Sequence, residues 1–116
     1  MDVLWQDILI NRGENKNRMK GPLIYYEIQD MYGTDLSSSK LASELRQSIL
    51  EEIDLGFNVE IDFAGVRSVS NGWARNALGL IVRDKGDKFF RDHILVSNLN
   101  KNVRKSILEG VGQVVV

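Results

Sequence analysis

Phe57-Asn58-Val59-Glu60-Ile61-Asp62-Phe63 alternates apolar and polar residues without a break over seven positions. A period of two belongs to a β-strand, whose successive side chains leave on opposite faces. One face carries Phe57, Val59, Ile61 and Phe63. The other carries Asn58, Glu60 and Asp62. A strand covered by helices on both sides would read as an unbroken apolar run. The alternation therefore predicts helices on one face of a sheet, with the other face partly wet.

Helical signals flank this strand. Upstream, Leu41, Leu45, Ile49 and Ile53 recur every four residues, with Ala42 and Leu50 alongside. That stripe predicts a helix over 40–55, capped by Ser39 and stopped by Gly56. Downstream, Trp73, Ala77, Leu80 and Ile81 predict a second helix over 71–85, with Gly86 as its stop. His93–Ser97 reads as a strand and Asn98–Asn100 as a turn and cap. Val103, Ile107 and Leu108 mark a short third helix that ends at Gly110 or Gly112. Val114–Val116 reads as a last strand, whose open edge would pair with a second copy as a homodimer. At the other end, Val3–Ile10 and Leu23–Ile28 are strand-like and flank a polar loop ending in Gly21-Pro22. They predict an N-terminal β-hairpin, with Tyr25 and Tyr26 on opposite faces. From residue 23 onward strands and helices alternate, which is the signature of α/β architecture. Residues 1–116 read as a single domain, with 1–22 as its N-terminal strand and polar loop.

Composition removes several function classes. With 116 residues there is room for about one domain. Lys and Arg number 15 against 16 Asp and Glu, which argues against a nucleic-acid binder. The absence of cysteine excludes a disulfide scaffold, a thiolate zinc site and a cysteine nucleophile. A single histidine excludes a multi-histidine metal site. No apolar run approaches the roughly 20 residues of a membrane span. The N-terminus lacks a signal-peptide pattern, so the expected location is the cytoplasm. Charge is uneven: residues 1–66 carry a net −6 and residues 67–116 a net +5. That describes either two solvated faces or a basic face that meets an acidic partner or a phosphate.

Catalytic signatures are missing. There is no Gly-x-Gly-x-x-Gly, no Walker-type loop and no His-Glu-x-x-His. His93 has no recognisable nucleophile or orienting partner, so no catalytic residue, metal or cofactor is expected. Asp62 ends the best strand, where open α/β sheets gather ligands; it either braces the adjoining loop or faces a ligand. Ser68, Ser70 and Asn71 precede the Trp73 helix. Their oxygens suit N-capping, and a phosphate on Ser68 or Ser70 would be favoured by the helix N-terminus. Trp73 is either core or an interface anchor.

Asp62-Phe63-Ala64-Gly65-Val66, with a serine-containing turn and Trp73-Ala74 after it, resembles the STAS superfamily. The closer likeness is to STAS-like proteins of a domain of unknown function, over roughly residues 23–112. The resemblance implies a mixed sheet with helices on one side, and binding rather than catalysis. Antagonists of anti-sigma factors in this superfamily bind a GHKL-type ATP-binding kinase and are phosphorylated on a serine at the start of the second helix. Here Asn71 or Gly72 stands in that slot, so the surface carries over and the switch does not. The implied partner surface comprises Asp62, Arg67, Ser68, Ser70, Asn71, Trp73 and Arg75, with Asp62 supporting the loop. A module holding a nucleotide or phosphate on the same loop is the alternative.

Overall fold

The computed structural model describes residues 19–114. The chain runs β1 (Leu23–Glu27), α1 (Ile28–Tyr32), β2 (Asp35–Leu36), α2 (Ser39–Asp54), β3 (Asn58–Asp62) and β4 (Ser68–Val69). A helical rod comes next, made of α3 (Asn71–Ala74), a π-helical turn (Arg75–Gly79) and α4 (Leu80–Lys85). Then come α5 (Asp87–His93), β5 (Ile94–Ser97) and α6 (Lys101–Gly112). β3 is the central strand of a sheet ordered β1-β3-β5, parallel to both neighbours. β2 and β4 form a separate two-residue parallel pair. The first strand of the expected hairpin, and with it the antiparallel pairing of a mixed sheet, falls outside the described residues.

Helices cover one face of the sheet, as the alternation in β3 predicts. Ile28 of α1, Leu45 and Ile49 of α2, Trp73, Ala77 and Ile81 of the rod, Phe90 of α5, and Val103 and Ile107 of α6 share one core. That core includes Tyr26, Val59, Ile61, Ile94 and Val96 from the strands. Tyr25, one residue from buried Tyr26, is exposed. α2 starts one residue earlier than its serine run suggests, because Ser38 rather than Ser39 accepts the N–H of Leu41.

The other face of β3 departs from expectation. Asn58, Glu60 and Asp62 are only 3%, 4% and 6% exposed. Alternation reports sidedness, not wetness; a polar face can be closed when each group finds a partner. Ser97 Oγ donates to Glu60 Oε2 at 2.8 Å. Asn58 Nδ2 donates to the Lys20 carbonyl at 2.5 Å. Its Oδ1 then accepts from His93 Nδ1 at 2.8 Å, which assigns the imidazole proton to that nitrogen.

The helices differ from expectation in three places. His93 closes α5 rather than opening β5, and α1 and α5 have no counterpart in the sequence reading. Of the two expected ends of α6, Gly112 is the last helical residue; Gly110 is not an end. It sits inside the helix, where a Cβ would come 2.5 Å from the Asn71 carbonyl oxygen and 2.7 Å from Ala74 Cβ. Its missing side chain is what lets α6 lie directly on the rod. Val114 is in a turn, not a strand, and Val115 and Val116 fall outside the described residues.

Candidate functional site

Asp62 closes β3 and organises the turn behind it. Its Oδ1 accepts from the Ala64 N–H and from Asn98 Nδ2, both at 2.8 Å, and its Oδ2 accepts from the Tyr25 hydroxyl. One carboxylate thus joins β1, the start of the loop and the turn after β5. Asn98 holds φ 57, a left-handed conformation that asparagine tolerates better than most residues. Phe63–Val66 is a tight turn closed by Val66 N–H to the Phe63 carbonyl at 3.0 Å. Gly65 occupies its third position at φ 82, which a side chain would strain. The Asp-Phe-x-Gly-Val pattern is therefore a turn device: a carboxylate to hold one N–H and a glycine to reverse the chain.

Beyond the turn, backbone bonds fix the segment on both sides. Arg67 N–H and Ser68 N–H donate to the Thr34 carbonyl at 2.7 and 3.1 Å, and Ser70 N–H donates to the Leu36 carbonyl at 2.8 Å. Asn100, the cap of α6, reaches back to donate to the Val66 carbonyl at 2.9 Å. The loop expected over 63–71 is a pinned strip that contains β4.

On this strip the polar side chains face solvent. Arg67 forks onto Asp35, Nη2 to Oδ2 at 2.5 Å and Nε to Oδ1 at 3.2 Å. Ser68 Oγ donates to Asp35 Oδ1 at 2.6 Å. The two charged side chains are 76% and 47% exposed. The Arg67 hydrogen bonds, and after them that of Ser68, hold the Asp35 carboxyl down at about 2. Ser70 Oγ accepts from the Trp73 N–H at 3.0 Å and so caps the rod. Half-buried Asn71 and Gly72 form its first turn, and Arg75 in the second turn donates to Gln113 Oε1 at 2.8 Å.

The expected site residues therefore split into two groups. Arg67, Ser68, Ser70, Asn71 and Arg75 succeed one another along the surface strip and the rod entrance. Asp62 and Trp73 lie beneath it. Trp73 is 1% exposed, edge-on to Phe63 at 6.0 Å and to Tyr32 at 6.5 Å, so its indole is core and not a surface anchor. Asp35 escapes a reading of the sequence: a single aspartate after Gly33-Thr34 carries no signal until β2 meets β4. The hydroxyls of Ser68 and Ser70 are both engaged, one donating to a carboxylate and one accepting at the helix cap.

A small cavity of about 130 Å³ opens where β1 and β3 end, lined by Glu27, Gln29, Asp30, Asp62 and Ala64. A hydrogen bond with Asp30, and then the Asp30 charge, raise the Glu27 carboxyl above its usual range. Three carboxylates here oppose an anionic ligand. Among the described residues no group of three or more His, Cys, Asp or Glu is placed to hold a metal ion. Nor is any helix among them long and apolar enough to cross a membrane.

Parallel strands with helices on one face, and a pinned polar strip leading into a capped helix, define a STAS-like α/β fold. The model of the STAS-like domain of unknown function (DUF4325) matches residues 42–104, more than half of the chain, and the chain belongs to that family. The match takes in α2 from Ala42 onward, β3, the strip, the rod, α5, β5 and the start of α6. No curated protein and no solved structure matches the chain.

Proposed function

We propose that this chain is a non-enzymatic regulatory interaction module that docks a protein partner on the strip 64–72 and the entrance of the rod. The observation that carries this reading is the combination of a fixed backbone with projecting polar side chains. Residues 64–70 are held by bonds to Asp62, Thr34, Leu36 and Asn100, while Arg67, Ser68 and Asp35 stand in solvent. Such a surface binds without first losing loop entropy. Arg67 and Arg75 flank the contact, and Asp62 and Trp73 support it from below.

By likeness to antagonists of anti-sigma factors, the partner is a GHKL-type ATP-binding regulatory protein in the cytoplasm. A non-catalytic role is supported by His93, which is bonded to Asn58 at the opposite end of β3 from Asp62. The three carboxylates around the nearby cavity weigh against a nucleotide or phosphate as the ligand.

The test is capture from host lysate on the tagged chain, with and without ATP, read by mass spectrometry. A GHKL-type protein whose retention changes with ATP is expected. Arg67→Glu and Arg75→Glu should each weaken that retention in a chain that still folds, Arg67→Glu with a somewhat lowered melt because it sets a second carboxylate beside Asp35. Retention that both variants leave unchanged would move the interface elsewhere.

A further inference from the structure

Two helices carry exposed rows mainly of one sign, basic on α6 beside Glu109 and acidic on α2. Lys40 lies one turn before Glu44 on α2, and Lys85 and His93 share a groove with Glu51 and Asp54. On α6, Lys101, Arg104, Lys105 and Leu108 line an open groove of about 490 Å³, whose one acidic wall residue is Glu109. Lys101 and Lys105 are exposed and Arg104 is half-buried. None of the three cations joins an ion pair with a described residue, whereas Arg67, Arg83 and Lys88 each meet a carboxylate. Arg104 Nε is buried and has no hydrogen-bond partner. A buried donor without an acceptor is costly, and like charges one helical turn apart repel. An acceptor of negative charge docking from outside would relieve the repulsion at the exposed Lys101 and Lys105.

α2 presents the complement. Glu44, Glu51 and Asp54 are exposed along its outer side and free of ion pairs with described residues, between the exposed Leu41 and Leu55. At 1.5 Å per residue the basic row covers roughly 6 Å of helix and the acidic row roughly 15 Å. The shorter row therefore fits within the longer, and each has leucine at its edge. The two helices pack on different parts of the rod. α2 reaches it where Arg46 donates to the Asn76 carbonyl, and α6 where Gly110 meets Asn71 and Ala74.

We propose that the basic row of α6 docks the acidic row of α2 on a second copy of this chain. The two patches differ, so the contact is heterologous and each added copy leaves one row of either sign open. This contact is independent of the partner surface proposed above, since it uses neither Arg67 nor Arg75.

Sedimentation velocity over a concentration series tests it. The average mass should rise with concentration at about 20 mM salt, and association should weaken at least about tenfold by about 300 mM. The triple variant Lys101→Glu, Arg104→Glu, Lys105→Glu and the triple variant Glu44→Lys, Glu51→Lys, Asp54→Lys should each be monomeric. Their equimolar mixture should associate again, because the unaltered row of each variant is then joined by charges of the opposite sign on the other. Circular dichroism melts establish that each variant folds. If a triple variant does not fold, Lys101→Gln with Lys105→Gln and Glu44→Gln with Glu51→Gln replace the two arms, and each should weaken association. A wild-type chain that stays monomeric at low salt overturns the proposal. So does association that the variants leave intact, or a monomer that retains an acidic oligonucleotide on α6 instead.

Discussion

Replacing Trp73 by alanine would remove an indole packed edge-on against Phe63 and Tyr32 in a site 1% exposed. A cavity of that size costs about 3–5 kcal/mol. Trp73→Ala should therefore lower the urea midpoint sharply, and any loss of partner binding in that variant would reflect unfolding. Surface Arg67 is the sound probe of the interface. Asp35 makes a separate prediction through acid. Its carboxyl is held at about 2 when folded, chiefly by Arg67 and then Ser68, and titrates near its ordinary value when unfolded. A depressed folded value contributes stability above the unfolded one and loses it as pH falls through the folded one. The urea midpoint of the wild type should thus exceed that of Asp35→Asn at neutral pH. The gap should close between about pH 4 and about pH 2. Salt will screen part of it, because the pair is exposed. At this scale the sequence is a partial guide. Asp62 is legible because it ends a strict alternation before a Gly-containing turn. Asp35 is not, because its value depends on Arg67 and Ser68, more than thirty residues away.

Helices and strands are legible in proportion to their length. The stripe of α2 repeats over four turns and predicts the helix to within a residue at each end. α1 and α5 have five and seven residues, too few for a period to declare itself. β2 and β4 hold two residues each and exist only through their pairing. The π-helical turn Arg75–Gly79 has no periodic signature either. It shifts the backbone bonding by one residue, and Arg46 from α2 takes the Asn76 carbonyl while Asn76 Nδ2 donates to the Gly72 carbonyl at 2.8 Å. Gly110 is the element-scale test. An added methyl would meet the Asn71 carbonyl, Ala74 Cβ and the Arg75 nitrogen at 2.5, 2.7 and 3.0 Å, two of them backbone atoms. Gly110→Ala should destabilise by about 1–3 kcal/mol through overpacking. Gly112→Ala, with nothing within 4 Å, should leave the melting temperature nearly unchanged. Equal effects would show that helix propensity, not the close approach of α6 to the rod, governs this position.

Across the molecule, the division of charge and the layering are both visible in the sequence, but the closure of the second sheet face is not. Polar residues at alternate positions say which side they leave from. Whether they meet water or one another depends on partners such as Ser97, His93 and Tyr25, supplied from other strands and helices. The order of the sheet has a consequence for how the chain is made. β3 pairs with β1 from Leu23 against Asn58, and with β5 from Val59 against Ile94. During translation β1 leaves the ribosome first, β3 follows after the residues between Leu23 and Asn58, and β5 only after an equal further stretch, from Val59 to Ile94. For the time it takes to make the residues between, the second edge of β3 is open, and an open edge templates pairing with another chain. Its side chains there include the acidic Glu60 and Asp62, which alternate with Val59 and Ile61 along the strand. Negative charges at every second position disfavour in-register pairing of that open edge with an identical strand, so the residues that later bind Ser97 and Asn98 also oppose self-pairing until β5 covers the edge.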